Sequence, residues 1–456
     1  MAKLTRRWWA IWTLVIAIAA AGGEQVMAQT SSAPPALDAE TSQVIRKRLE
    51  RTARPAILLL HQTPGPSENS RSWFGGLPRM PADLAWPRRK STGKPMSFLA
   101  QIDLADLPSV AASGGLPAQG VLWVFAALDD VMEDREHVAV LYRPKSNPAW
   151  VERPAPSGLG PMRDESPYTK FGADDPRAGV DFRYPIRFVA YDTFDAWTYS
   201  NAGIDLTAQF DTYLETFRDE NIRKGLGRAP KVGPSLWEIE WGGPGDEAWP
   251  QAGAVAEMAA LQVIDELAMI EPMPGKPAWT ASGLAARARI VADARERQAY
   301  WTARRFAALN PAERRDFRDW IAAMIAQGSA MPSEDTGGWR LLSDDLRLGF
   351  DEGNRFAAYE ILAQGGSALA TLPTTLRGSY DWLGEGEAPR DQMLGYGYSE
   401  QDAPNDHRDD VLLLQLGGGA DRFWNENGAE MLHLWISPRD LAARRFDRVT
   451  PTLESD

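Results

Sequence analysis

The first strong pattern along the chain is an apolar stretch from Ala10 to Ala21, behind Lys3, Arg6 and Arg7 and ahead of Val26-Met27-Ala28. A basic start, a short apolar core and small residues at −3 and −1 predict a signal peptide over residues 1–28, cut between Ala28 and Gln29. The stretch is about half a membrane span, and no other run approaches the roughly 18 apolar residues a span needs. Residues 29–40 are polar and Pro-rich and read as a tether. Val44, Ile45 and Leu49 at helical spacing predict a first helix over 41–54. Short apolar runs predict strands at 56–60, 98–102, 121–125, 138–142 and 186–191. A further strand is expected at 236–241, with Trp237, Ile239 and Trp241 on one face and Glu238 and Glu240 on the other. Gly75-Gly76-Leu77-Pro78, Ala85-Trp86-Pro87 and Gly93-Lys94-Pro95 are turn signals, and 143–180 reads as a surface excursion.

The texture changes near residue 252. Ala-rich helical periodicity covers 254–270, 281–309 and 311–327, with Asn310-Pro311-Ala312-Glu313 as a helix start and Gly328 as a stop. Another helix is expected from Asp351 to Leu362, before Gly365-Gly366. Strands resume at 411–416 and 431–436, and Ser437-Pro438 opens a last short helix through Arg445. The chain therefore divides into 41–251, a helical insertion at 252–370, and 371–456.

The two flanking parts resemble each other. Phe98-Leu99-Ala100-Gln101-Ile102 matches Leu412-Leu413-Leu414-Gln415-Leu416, each after a Gly-rich turn and each before an aromatic-bearing strand. The expected organisation is a β-rich core in two pseudo-repeated halves with a helical insertion between them. Trp241-Gly242-Gly243-Pro244 is a competing echo of the first turn. A Gln in an apolar strand must find hydrogen-bond partners. Gln101 and Gln415 either pin the backbone near Gly75-Gly76 and Gly395, or face a shared ligand groove.

The composition is that of a globular protein, 44% apolar and 24% charged over 456 residues. The absence of Cys excludes thiol catalysis, thiolate metal sites and disulfides. Loss of residues 1–28 removes three basic residues and Glu24, taking the net charge from −13 to −15. Such a surface repels phosphate backbones and anionic lipid, so nucleic acid and membrane surfaces are poor partners.

Two separated blocks resemble one family. The run from Phe74 to Pro108 (FGGLPRMPADLAWPRRKSTGKPMSFLAQIDLADLP), followed by GVLWVF, is similar to the N-terminal signature of the YwqG-like proteins, a domain-of-unknown-function family. LGYGYSEQD, VLLLQL and LHLWISPRDLAARRFDRV resemble its C-terminal signature in the same order. The chain departs from the family pattern where Gly397 replaces a Pro and where Arg390 and Asp391 stand in place of a His. The resemblance implies an α+β fold with a large antiparallel sheet and no established activity.

Local motifs for catalysis are few. Ser91-Thr92-Gly93-Lys94 fits S-x-x-K but sits in a turn without the accompanying elements. No G-x-S-x-G, H-E-x-x-H, phosphate-loop or dinucleotide fingerprint is present. Asp129, Asp130, Glu133, Asp134 and Glu136 form an acid cluster better read as a solvated loop than as a Ca²⁺ site. Glu238 and Glu240 could serve as a carboxylate pair, but an exposed strand face explains them as well. Fifteen Trp remain after residue 28, and Trp73, Trp86 and Trp249 beside turns are candidates for exposed platforms or for core closure.

The expectation is an exported, non-enzymatic binding or interaction protein, periplasmic or secreted, with a protein, peptide or glycan partner. The alternative is an envelope hydrolase acting on glycan or peptide through a carboxylate site. Candidate binding residues are Gly75, Gly76, Trp86, Gln101 and Gln415; no catalytic residue, metal ligand or cofactor is assigned.

Overall fold

The computed structural model describes residues 38–62, 70–128, 134–160, 179–195, 208–228, 242–269, 281–329, 350, 353–358, 360–372, 391–398, 403–417 and 429–455. The expected signal segment with its Ala28–Gln29 junction, residues 29–37, the expected strand at 236–241 and Asp129, Asp130 and Glu133 lie outside these residues. No described helix is long and apolar enough to cross a membrane.

Two compact units are present. In the smaller one, Tyr213 donates from its hydroxyl to the Ser42 carbonyl at 3.0 Å, and the Arg46 guanidinium lies 4.8 Å from the Phe217 ring centre. These residues belong to helices Ala39–Arg51 and Ala208–Leu226.

The larger unit is built on an antiparallel sheet of ten strands. In chain order these are β1 (Arg54–His61), β2 (Trp73–Phe74), β4 (Ser97–Asp103), β5 (Val121–Ala126), β6 (Val138–Arg143), β8 (Tyr184–Thr193), β9 (Gln392–Leu394), β10 (Val411–Gly417), β11 (Ala429–Ile436) and β12 (Thr450–Ser455). A separate two-stranded ribbon pairs β3 (Arg79–Met80) with β7 (Val151–Glu152). The sheet order is β12-β11-β10-β9-β1-β8-β2-β4-β5-β6. Exchanging β1 with β8, β9 with β2, β10 with β4, β11 with β5 and β12 with β6 reproduces the same order. The fold is therefore α+β with a β-rich core in two pseudo-repeated halves.

Period-2 alternation separates the sheet faces. Ile57 and Leu59 of β1 enter a core shared by both halves, with Leu99, Leu122, Leu413 and Leu432. Ala56, Leu58 and Leu60 face the other way and pack with Val189, Tyr191 and Ile222. The 3-10 turn before each edge strand reaches the edge strand of the other half. Arg135 Nε donates to Thr450 Oγ1 at 2.9 Å, while the Phe446 ring lies 4.9 Å from that of Tyr142.

The described part of 252–370 is helical, with helices Gly253–Met269, Ala281–Thr302 and Pro311–Ser329. Asn310 Oδ1 accepts from Ala312 N and Glu313 N, and Glu313 Oε2 accepts from Asn310 N, which closes a capping box. The helix from Ala281 stops at Thr302 rather than 309. The chain beyond it turns to cap a neighbour: Gly253 N donates to Ala307 O and Ala254 N to Arg305 O. Those two donors begin a helix and have no intrahelical acceptor, so the sacrifice of one helical end stabilises another. Likewise Gly328 is no stop, since the helix runs on to Ser329. At the C-terminus the helix is Pro438–Ala442, not through Arg445, because Arg444 takes φ 57° and redirects the chain toward β12.

Candidate functional site

The two halves carry the same polar construction around a left-handed turn. β10 pairs β11 with Gln415 opposite His433, and β4 pairs β5 with Gln101 opposite Trp123. Both strands are irregular two residues earlier, between Leu412 and Leu414 and between Phe98 and Ala100. On the other side Gln101 pairs with Trp73, and Gln415 pairs with Gln392. The next residues form the turns: Gly75 and Gly76 at φ 61° and 63°, Leu394 and Gly395 at 64° and 69°.

Hydrogen bonds repeat with the register. Gln101 Oε1 accepts from Arg79 N at 2.9 Å, and Gln415 Oε1 accepts from Tyr398 N at 2.8 Å. Trp123 Nε1 donates to the Arg79 carbonyl at 3.0 Å, and His433 Nε2 donates to the Tyr398 carbonyl at 2.8 Å. Asp103 N donates to Ser72 Oγ, and Gly417 N donates to Asp391 Oδ1. Each Gln is buried and ties down a turn, which is the first of the two roles expected for it.

The halves differ in how the turn carbonyls and neighbouring donors are closed. In the second half Gln392 Nε2 donates to Leu394 O at 3.0 Å and Tyr396 O at 2.7 Å, while its Oε1 accepts from Tyr191 OH at 2.5 Å. Burial pushes the Tyr191 phenol up to about 12, so it remains a donor. In the first half Trp73 stands in the register place of Gln392. Arg183 Nη2 takes over the carbonyl of Leu77 at 3.0 Å and also donates to Glu152 Oε1 at 2.5 Å. The Arg183 guanidinium lies 4.5 Å from the Trp73 ring centre, and that of Arg79 lies 5.7 Å from it.

Three donors are left over. Trp73 Nε1 and Arg183 Nε are buried with no hydrogen-bond partner. The half-buried Arg79 guanidinium has no carboxylate partner among the described residues. Buried N–H groups without acceptors are uncommon and costly, so this cluster needs an explanation. Among the described residues, no comparable set of open donors surrounds Gln392.

The aromatic candidates divide. Trp249 is fully buried against Phe317 and Phe350, with centroids 5.7 and 5.6 Å away, and Trp73 is also fully buried; neither is an exposed platform. Trp86 is half-buried, donates to Met96 O at 2.8 Å and stands edge-on to Phe125 at 5.2 Å. It closes the same apolar cluster that holds Trp73, Met80 and Trp123. Gly75, Gly76, Trp86 and Gln101 are thus in the first half, while Gln415 serves the second. The Ser91–Lys94 segment is a turn, with Gly93 N bonded to Arg89 O.

Sequence reading missed one pair. His61 Nε2 lies 2.7 Å from Asp391 Oδ2, joining β1 to the start of β9, and the imidazole rests 4.4 Å from the Phe74 ring. Asp391 is buried. The two residues are 330 positions apart, so no local spacing could have announced them.

These features define an α+β protein with a duplicated ten-stranded sheet and a donor-rich turn in one half. The sequence model of the family described as "Domain of unknown function (DUF1963)" matches residues 72–227 and 321–454, more than half of the chain. The chain belongs to that family. No curated protein matches it.

Proposed function

We propose that this chain is a non-enzymatic binding protein of the YwqG-like type, exported by residues 1–28 and active in the periplasm or outside the cell. Its partner is a protein, a peptide or a glycan. One observation carries the reading. The duplicated turn is closed by its own residues in the second half, through Gln392 and Tyr191, and left with open donors in the first, at Trp73, Arg183 and Arg79. Of the two copies, the first leaves buried donors without partners, whereas the second leaves an acceptor, His433 Nδ1; open donors are what a ligand's acceptors would meet.

A second reading, an envelope hydrolase acting on glycan or peptide, has the His61–Asp391 contact in its favour, since a carboxylate that orients an imidazole is a recurrent part of general-base sites. The two readings separate in one assay. The exported mature chain is titrated calorimetrically against a panel of short peptides and cell-wall glycan fragments, and each ligand is recovered and weighed by mass spectrometry. Binding requires a saturable isotherm, ligand recovered intact and no effect of His61→Ala. Cleavage products that vanish with His61→Ala would overturn the binding reading.

A further inference from the structure

We infer that the donor cluster of the first half is a carboxylate-binding site, formed by Trp73 Nε1, Arg183 Nε and the Arg79 guanidinium. The inference rests on the binding reading and gives its ligand a chemistry. Indole and guanidinium nitrogens donate and never accept, so a set made only of them requires a group that brings acceptors and no donors. An ionised carboxylate is such a group, and its two oxygens match the parallel N–H bonds of a guanidinium.

Several of the neighbouring acceptors are already committed. Gln101 Oε1 takes Arg79 N and Trp123 Nε1. The carbonyl of Arg79 takes Trp123, and that of Leu77 takes Arg183 Nη2. Asp181 Oδ1 is bonded to Phe182 N at 2.8 Å. Glu152 holds Arg183 by Nη2 alone and leaves Nε unsatisfied. Residue 76 packs closely on this donor: a Cβ there would stand 3.2 Å from Arg183 Nε and 3.0 Å from Arg183 Cβ. A side chain at 76 would therefore crowd the donor that the ligand needs. Glu152, whose side chain is 42% exposed, competes with the ligand for Arg183 and sets its affinity.

The test uses the mature full-length chain labelled with ¹⁵N at Trp. The Trp73 indole resonance is assigned as the signal missing from Trp73→Phe, and acetate is titrated at constant ionic strength against chloride. The expected result is a saturable downfield shift of that one indole proton with acetate, none with chloride or acetamide, and a smaller effect of inorganic phosphate. Arg79→Ala should weaken acetate binding about tenfold or more, the usual scale of a lost charge-assisted contact, with the other indole signals in place. Glu152→Gln should tighten it several-fold. Amidated and free-acid dialanine, and glucose and glucuronate, then distinguish a peptide carboxylate from a sugar acid. Absence of a saturable shift, an equal response to acetamide or chloride, phosphate binding more tightly than acetate, or indifference to Arg79→Ala would overturn the proposal. If panel ligands bind while acetate neither competes nor shifts Trp73, this inference falls and the binding reading stands.

Discussion

Gln101 and Gln415 lie 314 positions apart in the chain and share one role, each accepting from a turn backbone N–H, that of Arg79 at 2.9 Å and that of Tyr398 at 2.8 Å; Gln101 Oε1 also accepts from Trp123 Nε1. A shared role predicts comparable costs. Replacing either by Leu removes the acceptor and leaves a buried donor unpaired, a loss of about 1–3 kcal/mol. Urea unfolding of Gln101→Leu, Gln415→Leu and the double variant should show two similar decrements that add, because the sites do not touch. A neutral effect at one position would break the equivalence.

The turn itself should be less tolerant than either Gln. Gly75 has φ 61°, and a Cβ there would meet the Phe182 carbonyl at 2.1 Å. Gly93 has φ 71° with open space around it. Gly93→Ala should cost only the left-handed conformation, about 1 kcal/mol, and Gly75→Ala distinctly more. Thermal unfolding of the two variants decides the order.

Acid should loosen the second half through His433. Burial pushes this imidazole below its ordinary value, against a smaller opposing pull from the Tyr398 carbonyl and Glu454. A group whose folded pKa is depressed favours its neutral form in the folded chain. Its contribution is therefore whole above the ordinary value near 6.5 and is lost as the pH falls from there through the folded value. Stability measured between pH 8 and 5 should fall, and His433→Gln should flatten that slope. An unchanged slope would remove His433 from the explanation.

The helical block offers a local test. Asn310→Ala deletes a cap that satisfies Ala312 N and Glu313 N, and should cost about 1 kcal/mol. Glu313 is held below its usual range by the Asn310 backbone N–H and by Arg304, so it is charged at neutral pH and Glu313→Gln should cost less than the loss of Asn310. Chemical denaturation of both variants provides the comparison.

Much of this architecture was legible in the chain. The FLAQI and LLLQL runs carry the register of both halves, because a period-2 pattern with a polar residue at one fixed place survives any loop length between copies. The Asn310 start was readable because capping is chemistry within four residues. What was not legible is long-range. The strand Gln392–Leu394 is three residues long, and Thr450–Ser455 is a mostly polar run with a Pro, so neither carries an apolar pattern of its own. His61 and Asp391 meet only through the pairing of β1 with β9. The open donors at Trp73 and Arg183 depend on which partners are missing, and a sequence does not state that. Gly75, Gly76 and Gln101 build the turn beside which the leftover donors of Trp73, Arg79 and Arg183 lie.

The most direct test of a ligand site confined to the first half compares two variants that remove the same charge. Arg79 stands beside Trp73 in the first half, and Arg54 lies 4.3 Å from the Tyr396 ring in the second. Binding isotherms of one panel ligand are recorded for the wild-type chain, Arg79→Ala and Arg54→Ala at the same ionic strength. The account predicts that Arg79→Ala weakens binding about tenfold or more while Arg54→Ala matches wild type. Equal losses in both variants, or a loss confined to Arg54→Ala, would contradict it.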